Sequence, residues 1–280
     1  MKLFINITKP YLSNALRRIE GGILSTMPPT YRIASYIEDA DLIIAPVVNY
    51  RDILHIPLEK TVIMQLCFKT AGTGSGGNWG SHDTWWQSVW GKSYRVVSYY
   101  DLPCDDYLRM PLGYNPKLFY NRGLEKKFKA IVTGFMDGPN GEEIESVYKA
   151  FGNIVHVGNN FELGEGYHHF VGVTDAEMAT LYNQSEFVVA LRHIEGFEFP
   201  VIEGAACGAI PIVFDMECYT HWFESISYAI SPEEDIVHQL RDADVFFESW
   251  DVSGKPIIVD EFYKQFTWDN VMKPFWEYIE

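Results

Sequence analysis

The 280-residue sequence contains no long hydrophobic run and only 4 cysteines. No apolar stretch approaches the roughly 20 residues that a helix needs to cross a bilayer, so no integral membrane association is expected. The first residues, MKLFINIT, lack the cleavage-site pattern of a signal peptide and are predicted to form a strand. The cysteines show neither metal-ligand spacing nor the pattern of a small disulfide framework. We therefore expect a reducing, cytoplasmic setting.

Basic residues are scarce in the second half of the chain. The formal net charge of the whole chain is −16. Residues 1–118 contain 12 Lys and Arg against 10 Asp and Glu, whereas residues 119–280 contain 10 against 28. The second half is therefore strongly acidic, and it is poorly suited to bind along a polyanion such as DNA. The first half is close to neutral, and an anionic partner on that side remains an open alternative.

Apolar segments alternate with helix-like segments along the chain, without an internal repeat or a low-complexity tract. Continuous apolar strands separated by helices are typical of parallel sheets that are covered on both faces. The predicted strands lie at 2–7, 42–48, 61–66, 94–100, 130–135, 153–158, 186–191 and 209–214. The predicted helix-like segments lie near 12–20, 31–40, 83–91, 141–150, 175–184 and 200–207.

The segment PLGYNPKLF (111–119) separates two runs of this alternation. Its prolines, glycine and asparagine are typical of a loop, and the charge balance changes just after it. We therefore predict two open α/β domains joined by a short hinge. Two helix starts carry capping signals: Thr174 with Glu177 forms a capping-box pattern, and Ser231-Pro232-Glu233-Glu234 supplies an N-cap, a first-turn proline and an N3 glutamate.

Residues 195–213, EGFEFPVIEGAACGAIPIV, follow a predicted strand and contain a helix start. Pro200 suits the first turn of that helix, and Gly208 is a candidate for a left-handed C-cap. The loop 192–199 thus leads from the carboxyl end of a strand to a helix N-terminus. Open α/β sheets bind ligands at that edge, and the N–H groups of the helix start favour an anion such as a phosphate.

Two glutamates, Glu195 in this loop and Glu203 in the predicted first turn, need another explanation because carboxylates are poor phosphate ligands. Carboxylates accept hydrogen bonds from hydroxyl groups, which sugars and ribose provide. One glutamate at a sugar and the other at a ribose, with a diphosphate at the helix start between them, matches the order of groups in a nucleotide-sugar. Two solvated acids near a helix start are the simpler alternative.

The pattern E-G-F-x-x-P-x-x-E-x-x-A-x-G-x-x-P-x-V resembles the donor-site signature of retaining GT-B glycosyltransferases, especially family 4, with its two glutamates at the spacing E-x(7)-E. The segments VGVTDAEMATLYNQSEFVVAL, PLGYNPKLF and FTWD resemble neighbouring parts of that family. The resemblance implies two Rossmann-like parallel-sheet domains that face a cleft. Residues 1–114 would form the acceptor side and 115–265 the nucleotide-sugar domain, and a helix at 266–280 would cross back to the first domain.

The resemblance also implies the activity and the roles of several residues. The expected enzyme is a hexosyl- or pentosyltransferase that retains anomeric configuration without a metal or another cofactor, with a UDP- or GDP-linked sugar as donor. Glu195 would contact the donor sugar, Gly196 and Phe197 would line it through their backbone, and Glu203 would hold the ribose.

The sequence departs from the family at the diphosphate. The family usually places an arginine and a lysine after the first strand of its second domain, whereas TGFMDGPNGEE (133–143) has no base here. Arg192 stands where the family often has serine, and a guanidinium fork suits phosphate, so Arg192 is a catalytic candidate. His193 and Gly134 are further donor-binding candidates.

No metal site is expected from the sequence. Asp39-Ala-Asp41 and Asp242-Ala-Asp244 match the metal-binding pattern D-x-D, but both fall at the ends of predicted helices and are interpreted as chance matches.

The aromatic segment NWGSHDTWWQSVW (78–90) has two interpretations. Trp86, Val89 and Trp90 share one helical face, which favours core packing over a stacking platform for a sugar or a base.

The candidates on the acceptor side surround this segment. His82, with Asp83 beside it, follows a glycine-rich loop and is the candidate for activating or orienting the acceptor hydroxyl. Trp79 and Lys69 are the further candidates on this side, and a structural role for Lys69 is the competing interpretation.

The sequence thus predicts a glycosyltransferase whose acceptor is a glycan or another saccharide. One alternative is glycosylation of hydroxymethylated bases in DNA, as some viral members of the superfamily perform. Another is an inactive GT-B module that only binds a nucleotide or a glycan, which the missing phosphate lysine motivates. A nucleotide-sugar epimerase shares the fold but fits the two-glutamate signature less well.

Overall fold

The computed structural model of the chain describes residues 1–7, 14–47, 53–66, 83–102, 104–134, 139–159, 162–192, 197–249 and 260–280. The chain divides into two compact units. The first contains Met1–Tyr114, Ile194–Phe197 and Gln265–Glu280, and the second contains Asn115–His193 and Glu198–Lys264.

The first unit is built on a six-stranded parallel sheet. Its strands are Lys2–Ile5 (β1), Arg32–Ile33 (β2), Leu42–Val47 (β3), Thr61–Gln65 (β4), Arg95–Ser98 (β5) and Leu108–Arg109 (β6). They are arranged in the order β2-β1-β3-β4-β5-β6, and every neighbouring pair is parallel. Strands β3 and β4 are buried along their whole length, which explains their continuous apolar sequences.

The second unit has a sheet of the same kind. Its strands are Phe128–Gly134 (β7), Ile154–Gly158 (β8), Tyr167–Phe170 (β9), Ser185–Ala190 (β10), Ile210–Phe214 (β11) and Tyr228–Ile230 (β12). Their order is β12-β11-β10-β7-β8-β9, and all neighbours are again parallel.

Helices connect most of these strands. They are Asn14–Thr26 (α1), Asp83–Trp90 (α2), Pro139–Phe151 (α3), Asp175–Asn183 (α4), Phe199–Ala206 (α5), Glu217–Phe223 (α6), Ile236–Ser249 (α7), Asp260–Lys264 (α8) and Trp268–Ile279 (α9). Among the described residues, no helix has both the length and the apolar character that crossing a bilayer requires.

The predicted α/β fold with two parallel sheets is confirmed. Each of the eight predicted strands corresponds to an observed one. The four strands missing from the prediction, β2, β6, β9 and β12, are the edges of the two sheets. They contain only two to four residues each, with the sequences RI, LR, YHHF and YAI, and most of these residues are at least partly exposed. An edge strand buries less apolar surface, so its sequence carries a weaker periodic signal.

The helix-like interpretation of residues 31–40 is wrong. This segment forms β2 and then a single 3₁₀ turn, Ile37–Asp39. The backbone N–H of Arg32 donates to Met1 O at 3.0 Å, and that of Ala34 donates to Leu3 O at 2.7 Å. Without β2, β1 would be an edge strand with unpaired backbone groups. Backbone pairing with β1 therefore determines the extended conformation of this segment.

One of the two predicted helix starts is confirmed and the other is wrong. Thr174 and Glu177 form a reciprocal capping box at the start of α4. Helix α7, in contrast, begins only at Ile236, where Asp235 Oδ1 accepts a 3.1 Å hydrogen bond from His238 N. Ser231 is held instead by Gln239, whose amide accepts from Ser231 N at 2.7 Å and donates to Ser231 O at 2.9 Å.

Core packing of the predicted apolar face of α2 is confirmed. Trp86, Val89 and Trp90 on α2 are buried in one cluster with residues of β3, β4 and β5. The two indole rings stack with centroids 6.1 Å apart. These two tryptophans are therefore not a platform for a ligand.

Two adjacent glycines of α1 provide a matched test of packing in the first unit. A Cβ on Gly22 would overlap the indole ring of Trp268 on α9, whereas one on Gly21 meets nothing within 4 Å. Gly22→Ala should lower the free energy of unfolding by about 2 kcal/mol through overpacking. Gly21→Ala should raise it by about 0.5–1 kcal/mol because alanine favours the helix. Urea unfolding measures both, and equal effects would contradict the packing of Trp268 against α1.

Candidate active site

The second sheet has its topological switch point between β7 and β10. From β7 the chain continues to β8 and β9 on one side, and from β10 it continues to β11 and β12 on the other. Open α/β sheets bind ligands outside the carboxyl ends of the strands at such a point. Gly134 is the last residue of β7, and Arg192 follows the end of β10 by two residues.

Gly134 and Arg192, two separate candidates from the sequence, lie against each other. A Cβ on Gly134 would be 2.6 Å from Nη2 of Arg192, so any larger residue here would make the guanidinium shift. The φ of Gly134 is +127°, a backbone conformation that other residues rarely adopt. The positive φ therefore favours glycine at the end of β7, and the guanidinium fills the space beside it.

Arg192 is fixed by groups on both sides of it. Its Nη2 donates to Thr133 O at 2.7 Å and lies 3.2 Å from Thr133 Oγ1. Its Nη1 is 3.3 Å from Glu198 Oε1. Its backbone N–H donates to the hydroxyl of Tyr219, which in turn donates to Arg192 O. The guanidinium is thus held in place, and about a quarter of the side chain remains exposed.

Glu198 is a site residue that the sequence interpretation missed. It is the N-cap residue of α5, but its side chain makes no capping hydrogen bond to the first turn. The buried carboxylate instead pairs with Arg192, so the two residues join the two ends of the loop between β10 and α5. The signal was available in the sequence, since Glu198 is the single acid in the otherwise apolar segment FEFPVI (197–202).

Glu203 lies deeper in α5 than predicted. The helix begins at Phe199, so Glu203 is its fifth residue and not part of the first turn, which contains no acid. The side chain is only 1% exposed. Burial raises the pKa of the nearby Cys207 thiol to about 12, and the negative charge of Glu203 acts in the same direction.

The small residues after Glu203 allow α5 to pack tightly on β10, as the pattern GAACG suggests. A Cβ on Gly204 would be 2.7 Å from Val188 Cγ1. Gly208 has a φ of +84° directly after the helix and therefore serves as the predicted left-handed C-cap. Pro200 stands in the first turn, as predicted.

Phe197 is grouped with the first unit of the chain. Its buried ring packs against Tyr99 and Phe266, with centroid distances of 6.2 and 6.1 Å. The ring therefore has a packing role in addition to the backbone role predicted from the sequence.

The other predicted site residues lie outside the described part of the chain. They are Glu195, Gly196, His193, His82, Lys69 and Trp79. Asp83 begins α2, but its side chain is outside the description.

A second feature missed from the sequence is a buried histidine behind Gly134. His156 of β8 is completely buried, with Nε2 2.9 Å from Gly134 O and Nδ1 2.5 Å from the hydroxyl of Tyr167. A carbonyl can only accept, so Nε2 carries the proton, and Tyr167 must donate to Nδ1 if the ring is neutral. Burial lowers the pKa of His156, and His169 and Arg192 act in the same direction, while the bond to Gly134 opposes them. A histidine inside the apolar strand IVHVG was the available signal.

Three of the four acids in the two D-x-D patterns make contacts within the fold. Asp41 Oδ2 accepts from Lys2 N at 2.7 Å, Asp244 pairs with Lys129 at 2.7 Å, and Asp242 lies 3.2 Å from His238 Nδ1. Within the described ranges, no three His, Cys, Asp or Glu side chains converge in a way that suits a metal ion.

Comparison with known proteins identifies the fold. No protein-family profile matches the chain. The chain is 30% identical over 155 residues to "Putative glycosyltransferase 41" of Sulfolobus islandicus filamentous virus (isolate Iceland/Hveragerdi), which covers 51% of this chain and 45% of the viral protein. The alignment thus spans less than half of that relative.

Solved structures match over much more of the chain. AviGT4, a glycosyltransferase involved in avilamycin A biosynthesis, is 13% identical with a TM-score of 0.64, over 99% of this chain and 96% of AviGT4. Sucrose-phosphate synthase of Thermosynechococcus elongatus is 14% identical with a TM-score of 0.65, over 85% and 72%. The pneumococcal O-GlcNAc transferase GtfA, solved with UDP and GlcNAc, is 11% identical with a TM-score of 0.55, over 85% and 56%. The chain therefore has the GT-B fold of glycosyltransferases.

Proposed function

We propose that the protein is a glycosyltransferase that moves a sugar from a nucleotide-sugar to an acceptor hydroxyl with retention of configuration and without a metal. The observation that carries the proposal is the convergence of Gly134, Arg192 and α5 at the switch point of the second sheet. The two-glutamate signature belongs to the same strand-loop-helix unit. The viral relative and the fold of the solved glycosyltransferases support it.

The donor would be held by three kinds of contact. Glu203 would accept hydrogen bonds from the ribose, and Glu195 with the backbone of Gly196 and Phe197 would line the sugar. The diphosphate would lie by the N-terminus of α5 and the exposed part of Arg192. We propose a UDP- or GDP-linked hexose or pentose as donor, and the UDP bound in the pneumococcal neighbour is consistent with that choice.

The reaction would need no strong general base in the protein. The bond between the anomeric carbon and the diphosphate oxygen breaks, and the acceptor oxygen bonds to that carbon on the same face. The acceptor proton passes to the leaving phosphate oxygen. Arg192 and the helix N–H groups would stabilise the negative charge that develops on the leaving group, and such preorganised stabilisation is often the largest catalytic contribution. We propose a glycan or another saccharide as acceptor.

The fixed guanidinium makes a specific prediction about donor affinity. Arg192→Ala removes a charge-assisted contact to the diphosphate, so the dissociation constant of the donor should rise by about 10- to 100-fold. Arg241→Ala, which removes an exposed arginine of α7 in the same unit, should leave it unchanged. Titration calorimetry with the donor measures both. An unchanged constant for Arg192→Ala would exclude the proposed phosphate contact.

Turnover of a donor panel tests the function itself. The protein is mixed with UDP-, GDP-, ADP- and dTDP-sugars and with saccharide acceptors, and nucleotide release is measured with and without a chelator. Release from one donor that persists with the chelator, together with an NMR spectrum showing retained configuration, is the expected result. Binding without release would favour the inactive module. Inversion would overturn the retaining mechanism.

A further inference from the structure

We propose that His156 is a positioning residue for donor binding. Through its hydrogen bond to the carbonyl of Gly134, it holds the carboxyl end of β7 in the conformation that binds the donor. The inference rests on the proposed function, because it assigns a role within the same donor site.

The contacts around His156 form a directional chain. The hydroxyl of Tyr167 donates to Nδ1 of the neutral ring, and Nε2–H donates to Gly134 O at 2.9 Å. Burial raises the pKa of Tyr167 to about 12, so its hydroxyl keeps the proton that it donates. Tyr167 thereby selects the tautomer of His156 that carries its proton on Nε2. That proton forms the hydrogen bond that orients the carbonyl of Gly134.

The geometry of two glycines leaves room for this contact. A Cβ on Gly158, which pairs with Gly134 across β7 and β8, would overlap Gly134 O and lie 2.5 Å from His156 Nε2. His169 of β9 makes a parallel contact, with its Nε2 3.2 Å from Gly158 O. Two histidines thus hold the carbonyls at the ends of two adjacent strands.

Gly134 is held from two sides as a result. The imidazole of His156 binds its carbonyl, and the guanidinium of Arg192 occupies the space where a Cβ would lie while binding Thr133 O. The end of β7 is one wall of the switch point, so a small change there would displace a diphosphate. Groups that act through a neighbouring contact commonly tune a site in this way.

Burial lowers the pKa of His156, and so do the charges of His169 and Arg192, which favours the neutral ring. Tyr167 and His169 face it from β9, and Arg192 faces it from the end of β10. On α3, Tyr148 contacts Tyr167 edge-on, and Glu143 lines a small cavity with Thr133 and Arg192. Protonation would put a second cation beside Arg192 and turn Nδ1 into a donor toward Tyr167.

Affinity for UDP and GDP at pH 7.5 tests the role. His156→Phe keeps a ring but loses the donor, and its dissociation constant should rise about three- to tenfold. His156→Gln keeps an amide N–H for Gly134 O and should bind within about threefold of the wild type. The dissociation constant of Tyr167→Phe should lie between those of His156→Phe and His156→Gln. His168→Gln, at the neighbouring exposed histidine of β9, is the matched control and should bind like the wild type.

A stability measurement separates folding from positioning. Because the folded-state pKa of His156 is lowered, the unfolded chain binds its proton first, near pH 6.5, and stability is lost as the pH falls below that value. The unfolding midpoint of the wild type should therefore fall more steeply than that of His156→Gln between pH 7.5 and 5.5.

Each outcome decides a different point. Equal nucleotide affinity for the wild type and a folded His156→Phe variant would overturn the positioning role and leave the proposed function intact. If His156→Phe does not fold, a His156→Gln variant that binds as weakly as Tyr167→Phe or worse would overturn it. A wild type that binds neither UDP nor GDP nor any donor of the panel would overturn the proposed function, and the inference with it.

Discussion

Glu203→Gln should lower kcat/KM for the nucleotide-sugar by about 100-fold, because the carboxylate that we propose as the acceptor of hydrogen bonds from the ribose is replaced by a neutral amide of the same shape. Hydrogen bonds to a charged group are worth about 1.5–3 kcal/mol, which corresponds to roughly 10- to 150-fold in affinity. The loss should sit near the upper end because the side chain is almost completely buried, and screening by water is weak there.

The control for this variant is Glu234→Gln, which makes the same change of charge at an exposed position of the same unit. It should retain wild-type kinetics. Thermal unfolding of both variants shows whether the fold is kept, because a buried carboxylate also affects stability. Wild-type kcat/KM in a folded Glu203→Gln variant would show that this residue does not touch the donor.

Gly158→Ala should lower the free energy of unfolding by about 3 kcal/mol or more. The added methyl group would occupy the position of Gly134 O, a backbone atom that cannot rotate away, and would also crowd His156 Nε2. Relief requires the ends of β7 and β8 to separate, which breaks the hydrogen bond from His156 to Gly134 O. Overpacking of this kind costs about 1–3 kcal/mol, and more when backbone must move.

Gly152→Ala is the matched control, because its φ is +71° and a Cβ there meets nothing within 4 Å. It should cost only about 1–2 kcal/mol from the left-handed backbone conformation. Urea unfolding of the two variants gives the comparison. A Gly158→Ala variant no less stable than Gly152→Ala would contradict the close approach of β7 and β8.

The sequence was most informative where one physical requirement dominated. Eight strands could be predicted because central strands of a parallel sheet are buried on both faces and must be apolar. Helix α5 could be placed because Pro200 and Gly208 satisfy its two ends. The four edge strands were not predicted because they are short and are held mainly by backbone hydrogen bonds. Such pairing produces no clear pattern of apolar side chains in the sequence.

The site could be predicted only in part for a related reason. The strand-loop-helix unit and Arg192 were accessible because strand ends and helix starts leave local signals. The pairing of Arg192 with Glu198 lies within that same unit and had a local signal. The contact from His156 to Gly134, across 22 residues, depends instead on which strands lie side by side. That order is a property of the sheet and not of any local segment.

A crystal structure of the protein with UDP or GDP tests the central claim most directly. We expect density for the diphosphate at the carboxyl ends of β7 and β10, beside Gly134 and the guanidinium of Arg192, with the ribose at Glu203. A nucleotide bound at another edge of either sheet, or no nucleotide at saturating concentration, would contradict it.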